Sequence, residues 1–219
     1  RVMGMLQCIS RQRMNMQEQT VYGRCGIEWI GRDINMVEFK RKSLELLYDA
    51  KIVALYKDVL ETPDGGEVVY DLIKHKSGGG AGILLVDEEE YTYLVRQYRN
   101  SLDAVDLEIP AGGYSFHGES GETCALREAE EETGWIPQDI YHVSNMISSV
   151  GTFDEKTDVY IGRNLKKGKR HLDPTEFIEI VRVPMEEARE MIYSGKIVDS
   201  KTIVAILAYY DKKSRGIFK

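Results

Sequence analysis

Residues 118–135, "GESGETCALREAEEETGW", combine clear helix signals with an unusual density of glutamate. Ser120 or Thr123 can cap the start of the helix, because a side-chain oxygen accepts a hydrogen bond from a free backbone N–H. Gly134 can end it in the left-handed conformation. The sequence therefore predicts one short helix, whose core side is expected to carry Ala125, Leu126 and Ala129.

Three of its glutamates share one face of this helix. Glu128, Glu131 and Glu132 stand at i, i+3 and i+4, and like charges at this spacing repel. Arg127, four residues before Glu131, offsets part of the repulsion, and solvent can do the same on an ordinary charged surface. A hard divalent cation offsets it better, since Mg²⁺ and Mn²⁺ prefer oxygen ligands. The glycine-rich loop that leads into the helix can add backbone carbonyls, so a metal site is predicted here.

Composition limits the classes of protein to consider. The chain has 219 residues and a net charge of −7, which disfavours nucleic acid and anionic membrane as main partners. No apolar run approaches the length of a membrane span. The cysteines lie far apart, at Cys8, Cys25 and Cys124, which is typical of a reducing compartment. A soluble cytoplasmic protein is expected.

Strand and helix signals alternate irregularly along the chain. Residues 51–75 predict a β-hairpin around the turn Pro63–Gly66. A short helix is expected over 35–47, although its periodicity is weak. The loop 76–82, "KSGGGAG", lacks the Gly-Lys-Ser/Thr ending of a phosphate-binding P-loop. Further strands are expected at 82–86, 91–99, 102–109, 141–149, 156–162 and 176–184, and helices at 185–194 and 201–213.

This order of elements indicates the fold class. Strands and helices are mixed without regular βαβ alternation, which favours an α+β or layered α/β/α domain with a mixed sheet. We expect this domain over residues 78–219. Residues 1–77 would form an N-terminal extension that contains the β-hairpin.

The glutamates belong to a longer spaced pattern. Gly113 is followed after five residues by Glu119 and after seven more by Arg127, and the pattern ends at Trp135. It resembles the Nudix box, G-x5-E-x7-R-E-U-x-E-E-x-G-U, at every fixed position, a match expected by chance on the order of once in 10⁸ start positions. The resemblance implies a Nudix fold and a metal-dependent hydrolase that acts on a diphosphate joined to another group.

Segments outside the box are similar to the branch of the family that hydrolyses ADP-ribose and nucleoside-diphosphate sugars. They are "VRQYR" (95–99), "LEIPAGG" (107–113), "EFIEI" (176–180) and "GKIVDSKTIVAIL" (195–207). The resemblance to this branch implies a homodimer in which the N-terminal strands pack across the dimer and complete the active site.

The resemblance also assigns roles to residues of the box. Glu128 and Glu132 would hold the metal, with the carbonyl of Ala111 or of Gly112 as a further ligand. Glu131 would be a metal ligand or a catalytic helper. Glu119 and Arg127 would orient the site.

Other roles lie outside the box. Glu155, in the loop "GTFDEKT", matches a catalytic glutamate and would act as the general base on water, with Asp154 and Asp158 as alternatives. An ordinary loop carboxylate is the other interpretation of Glu155.

Substrate contacts are assigned in the same way. Arg99 matches an arginine that contacts phosphate, although a salt bridge at a strand edge would equally explain it. Arg96 is a weaker candidate. Glu108 and Asp71 are candidates for contacts with the nucleoside or ribose.

This chain differs from the usual pattern of the branch in two features that concern ADP-ribose specifically. The branch usually has "SPG" after the box, whereas this chain has Val150 in the proline position. An arginine pair that the branch uses for the base has no match in "EVVYDL" (67–72). Trp29 is a candidate for base stacking, although packing is the more common role of a lone tryptophan.

The predicted reaction is hydrolysis of ADP-ribose to AMP and ribose 5-phosphate with Mg²⁺ or Mn²⁺. The alternatives are a pyrophosphatase for GDP-mannose or UDP-glucose and a Nudix-fold ligand sensor without turnover. A dinucleoside polyphosphate hydrolase, a diphosphate isomerase and a purely structural acidic domain are disfavoured. The intact box argues against a sensor, since such modules usually lose box glutamates.

Overall fold

The computed structural model describes residues 38–115 and 118–218. Its strands are β1 (Lys40–Asp49), β2 (Val53–Glu61), β3 (Glu67–His75), β4 (Gly79–Leu85), β5 (Tyr91–Arg99), β6 (Ala104–Glu108), β7 (Ala111–Gly113), β8 (Trp135–Ile147), β9 (Lys156–Lys167) and β10 (Glu179–Pro184). Its helices are α1 (Gly121–Thr133), α2 (Met185–Tyr193) and α3 (Ser200–Ser214). Trp29, Cys8 and Cys25 lie outside the described residues.

The central sheet has the order β7-β4-β9-β8. It is mixed, because β4 runs parallel to β9 while the other two pairs are antiparallel. A second sheet has the order β10-β5-β6, and a third has the order β1-β2-β3. The mixed α+β architecture expected from the sequence is confirmed.

Strand β4 explains the layering. It is buried on both faces, so its side chains alternate between two hydrophobic clusters. One cluster joins β4 to α1, through Ala81, Ile83 and Leu85 on the strand and Ala125 and Ala129 on the helix. The other joins it to α2 and α3, and includes Leu84, Val86, Ala188, Ala205, Ile206 and Tyr209. The sheet therefore lies between helices, as in an α/β/α sandwich.

The β2–β3 hairpin is observed where the sequence predicts it. The two strands pair in register from Val53↔His75 to Glu61↔Glu67. The end of β3 is tied to the loop before β9, since the backbone N–H of Ile73 donates to the carbonyl of Thr152 at 2.8 Å. This tie holds the loop that carries Glu155 beside the central sheet.

The expected helix over 35–47 is wrong for the part that the structure describes. Residues 40–49 form β1, which pairs antiparallel with β2. Arg41 makes a bidentate ion pair with Asp58 at 2.6 and 2.5 Å, and Lys42 pairs with Glu67 at 2.9 Å. Pairing with a neighbouring strand outweighs weak local propensity.

None of the helices in the described part of the chain combines the length and the apolar character that crossing a membrane would require.

Candidate active site

Helix α1 has the predicted ends. The Ser120 side chain accepts a hydrogen bond from the Thr123 backbone N–H at 3.1 Å, and Gly134 takes a left-handed conformation with φ 74°. Glu128 and Glu132 lie on the buried side of the helix together with Ala125 and Ala129, whereas Leu126 is only partly buried. Two carboxylates thus lie one turn apart against the sheet.

Glu132 is the more deeply buried of the two carboxylates. It is 3% exposed, and its Oε2 accepts a hydrogen bond from the Ala111 backbone N–H at 3.1 Å. Burial, followed by the negative charge of Glu128, raises the pKa of Glu132 to about 8. Without a cation, this carboxyl is therefore largely protonated at neutral pH.

Glu128 lies directly against the backbone of Gly112. A Cβ atom at Gly112 would come within 2.1 Å of Glu128 Oε1, so any side chain at that position would displace the Glu128 carboxylate. Burial also raises the pKa of Glu128, although Arg127 opposes the shift.

Arg127 connects the box residues. Its guanidinium donates to Glu119 at 3.1 Å, to Glu128 at 2.5 Å, to Glu131 at 3.0 Å and to the Gly113 carbonyl at 3.0 Å. Glu119 in turn accepts from the Ser115 backbone N–H at 2.6 Å. Arg127 and Glu119 therefore hold the glycine-rich segment against the start of α1.

The register of β7 distinguishes the two candidate carbonyls. Ile83 donates to the Pro110 carbonyl and Tyr114 donates to the Gly79 carbonyl, and Gly112 lies opposite Ala81 between these bonds. Hydrogen-bonded pairs alternate in an antiparallel ladder, so the Gly112 carbonyl faces β4. The Ala111 peptide groups face the other way, toward Glu132.

Glu128, Glu132 and the Ala111 carbonyl could supply an oxygen-only donor set for a metal ion. In the described part of the chain, no three acidic, histidine or cysteine side chains converge in a metal-binding geometry. Two carboxylates and one main-chain oxygen would suit a hard cation that keeps several water ligands, such as Mg²⁺ or Mn²⁺. Glu131 points instead to Arg127 and, at 3.5 Å, to His171.

A cavity of about 410 Å³ lies beside Ala111, and neither Glu128 nor Glu132 is among its lining residues. It is lined on one side by β7, including Ala111 and Gly112, and elsewhere by Arg99, Glu155 and Lys201. The structure thus brings together residues that are far apart in sequence.

Arg99 and Glu108 form a bidentate ion pair at the edge of this cavity. Arg99 donates to both oxygens of Glu108, at 2.5 and 2.7 Å, and Lys201 donates to Glu108 at 2.5 Å. Burial opposes ionisation of Glu108, but these two cations outweigh burial and hold its pKa below the ordinary value. Glu108 was expected to face a nucleoside or ribose, and here both its oxygens already have partners.

Glu155 differs from its two alternatives in its partners. Asp154 accepts from the His75 backbone N–H at 2.8 Å, and Asp158 accepts from the Tyr114 hydroxyl at 2.9 Å and from Asn145. Glu155 has only a 3.9 Å contact with His75 Nε2 among the described residues. Its carboxylate lines the cavity and is the least engaged of the three.

Two predicted substrate residues do not line this cavity. Arg96 is an odd number of residues from Arg99 on β5, so its side chain lies on the opposite face of the strand, where it pairs with Glu179 at 3.2 Å. Asp71 is exposed on β3. Val150, in the position of the usual proline, is exposed in the loop before β9.

Sequence reasoning assigned no role to Glu176, in the segment between β9 and β10. Burial is the main cause of the raised pKa of Glu128 and Glu132, and the negative charge of Glu176 is one of the lesser causes. No short motif marks Glu176. The signal that could have found it is its place as the first residue of "EFIEI" (176–180), a segment already identified as similar to the branch.

We predict that the metal-free Glu132→Gln variant is more stable than the wild type at pH 9, by up to about 5 kcal/mol. The pKa of Glu132 is raised in the folded state, so the folded protein binds the extra proton and wild-type stability falls as pH rises from about 4.5 to about 8. The glutamine cannot ionise, so the difference between the proteins should vanish near pH 4.

Urea denaturation in EDTA at both pH values measures this difference. Glu122→Gln, at an exposed position of the same helix, is the control and should follow the wild type. Equal stabilities of Glu132→Gln and wild type at pH 9 would contradict the prediction.

Comparison with known proteins agrees with this geometry. The chain matches the family model described as "NUDIX domain" over residues 76–203. It is 34% identical over 172 residues to ADP-ribose pyrophosphatase of Bacillus subtilis, a match that covers 78% of this chain and 91% of the relative. It is 31% identical over 173 residues to the methanol dehydrogenase activator of Bacillus methanolicus, covering 78% and 92%.

A solved structure has the same fold. The crystal structure of an ADP compounds hydrolase superposes with a TM-score of 0.73 at 18% sequence identity, covering 85% of this chain and 100% of that one. The buried glutamates of α1, the glycine of β7 that admits one of them, and these matches over most of the chain lead to one conclusion: the protein belongs to the Nudix family and is a Nudix hydrolase.

Proposed function

We propose that this enzyme hydrolyses the diphosphate bond of a nucleoside diphosphate linked to a sugar, with ADP-ribose as the substrate and AMP and ribose 5-phosphate as products. The observation that carries the proposal is the cavity lined both by Ala111, whose backbone N–H donates to Glu132, and by the cation Arg99. Such a cavity can meet a diphosphate with metal on one side and a guanidinium on another. The named activity of the Bacillus subtilis relative favours ADP-ribose.

The metal site of this proposal uses Glu128, Glu132 and the carbonyl of Ala111 rather than that of Gly112. When bound there, Mg²⁺ or Mn²⁺ would neutralise the phosphoryl oxygens and lower the pKa of a water ligand. Arg127 and Glu131 lie at the edge of the metal site. Arg127 donates to Glu128 and to Glu131, and so fixes the orientation of the carboxylates.

The reaction is an in-line attack of water on phosphorus. The new oxygen–phosphorus bond forms as the bond from phosphorus to the bridging oxygen breaks, and the leaving phosphate carries the released electron pair. Glu155 accepts the proton of the attacking water, because it lines the cavity with little other engagement. Glu176 is the second candidate for this role, since its negative charge is, after burial, among the lesser causes of the raised pKa of Glu128 and Glu132.

The proposal also includes a homodimer in the cytoplasm, with residues 1–77 as a dimerisation extension ahead of the hydrolase domain at 78–219. Exposed apolar side chains on the β1-β2-β3 sheet, such as Leu46, Tyr48 and Val69, are consistent with a covered surface.

A hydrolysis panel tests the substrate. ADP-ribose, GDP-mannose, UDP-glucose and a dinucleoside polyphosphate are incubated with Mg²⁺ or Mn²⁺ and alkaline phosphatase, which releases phosphate only from the monoester products. Preferred turnover of ADP-ribose, abolished in Glu132→Gln, is expected. Preferred turnover of another compound would replace the substrate, and metal-dependent binding without turnover would favour a sensor.

We predict that Gly112→Ala lowers kcat by about 100-fold, because the new methyl group displaces the Glu128 carboxylate by an ångström or more. The matched control is Gly151→Ala, where an added Cβ meets nothing within 4 Å. The control should retain wild-type kcat. Near-wild-type turnover by Gly112→Ala would mean that the position of Glu128 does not matter.

We predict that Glu155→Gln lowers kcat by about 10²–10⁴-fold with little change in KM, as expected for loss of a general base. Glu176→Gln is assayed in parallel. If Glu155 is the base, its variant loses kcat, whereas Glu176→Gln keeps a kcat close to wild type. The reverse result would transfer the role to Glu176.

A further inference from the structure

The backbone around Glu155 is held on both sides by β3 and the turn that follows it. Before Glu155, the backbone N–H of Asp154 donates to the Ile73 carbonyl at 3.2 Å. After it, the backbone N–H of Lys156 donates to the Gly78 carbonyl at 3.1 Å. These two hydrogen bonds fix the main chain at Glu155, but they do not determine where its carboxylate points.

The carboxylate of Glu155 faces a histidine at the end of β3. His75 Nε2 lies 3.9 Å from Glu155 Oε1, and only 12% of the His75 side chain is exposed. Phe153 packs against the imidazole, with 6.0 Å between the ring centroids. Glu155 lines the cavity and His75 does not, so His75 can influence a ligand there only through Glu155.

The His75 ring is itself oriented by the residues after β3. Its Nδ1 lies 3.1 Å from Ser77 Oγ, and the Ser77 hydroxyl donates to the Gly79 carbonyl at 3.1 Å. A serine hydroxyl has one hydrogen, so both contacts are hydrogen bonds only when His75 Nδ1 donates to Ser77. Ser77 thus holds the ring with Nε2 directed at Glu155.

A donor at Nε2 would orient the Glu155 carboxylate. A doubly protonated imidazole donates from both nitrogens, here to Ser77 on one side and to Glu155 on the other. The separation of 3.9 Å is longer than a hydrogen bond, and such bonds at catalytic groups often tighten only when substrate binds. Glu155 would then give one oxygen to His75 and keep the other for the attacking water.

We propose that His75, held by Ser77, is a positioning residue that orients Glu155 toward the attacking water. This inference rests on the proposed function, in which Glu155 is the general base. It also gives a role to the loop "KSGGGAG" (76–82), which lacks the ending of a phosphate-binding loop but supplies the serine that orients the ring.

Steady-state hydrolysis of ADP-ribose with Mg²⁺ tests the role through three substitutions. His75→Phe keeps a ring beside Phe153 without a nitrogen, so kcat should fall at least about tenfold while KM stays within about twofold. His75→Asn keeps a polar group near Ser77 but does not reach Glu155, and it should lose as much kcat. His75→Gln places an amide near the position of Nε2 and should keep kcat within about threefold of wild type.

Phe153→Leu is the control for packing. It changes the contact with the His75 ring without removing a nitrogen, and its kcat should stay within about twofold of wild type. An equal loss of kcat in Phe153→Leu and His75→Phe would overturn the proposal, because packing alone would then explain both.

Thermal denaturation shows which variants are folded. A folded His75→Phe protein with kcat within about twofold of wild type would overturn the proposal. If His75→Phe does not fold, the folded His75→Asn and His75→Gln proteins decide the question. A higher kcat in the glutamine variant supports the proposal, and equal values overturn it.

A double-mutant cycle tests whether His75 acts through Glu155. In the Glu155→Gln background, His75→Phe should lower kcat by less than about twofold, because the carboxylate that it orients is already absent. The same fall in both backgrounds would show that His75 acts independently of Glu155, and would contradict the proposal.

The two levels of the proposal fail differently. If the wild type hydrolyses another diphosphate of the panel better, that compound replaces ADP-ribose and the comparison of variants is unchanged. Hydrolysis by the wild type with an unchanged kcat in His75→Phe overturns the role of His75 alone. Lack of hydrolysis of every diphosphate overturns the proposed function, and the role of His75 with it.

Discussion

The burial of two carboxylates one helical turn apart is the constraint on which the site depends. Glu128 and Glu132 face the sheet rather than solvent, and burial raises the pKa of both. Without metal, this arrangement lowers the stability of the folded protein, since charged groups lose hydration when they are buried. The arrangement persists because α1 is fixed elsewhere: by its caps, by the packing of Ala125 and Ala129, and by Arg127.

The rest of the cavity provides charge of the opposite sign. Arg99 and Lys201 are held by Glu108, and Ala111, which lines the same cavity, donates its backbone N–H to Glu132. Under the proposed function, an anion bound by the cations would also meet a metal ion held by the glutamates. This division of charge is the physical basis for proposing a diphosphate rather than a monoanionic ligand.

Much of this site could be predicted from the sequence, because it lies within one helix. The spacing of Glu128 and Glu132 and the residues at both helix ends determine their common face without long-range information. The spacing of Arg96 and Arg99 along β5 could also have shown that their side chains lie on opposite faces of the strand, since residues three apart on a strand point to opposite faces.

The remainder depends on tertiary contacts that no local pattern records. Lys201 lines the cavity from a distant segment, and the choice between two carbonyls needs the β4–β7 register. The prediction of a helix over 35–47 was wrong for the same reason. Cross-strand pairing of β1 with β2 decides the conformation of residues 40–49.

The most direct test of the account is the binding of Mn²⁺ to the purified protein, measured by electron paramagnetic resonance in wild type, Glu128→Gln and Glu122→Gln. The account predicts that wild type and Glu122→Gln bind Mn²⁺ alike, and that Glu128→Gln binds it at least about tenfold more weakly, because a ligand has lost its charge. Equal binding by all three proteins would contradict the claim that the buried glutamates of α1 form the metal site.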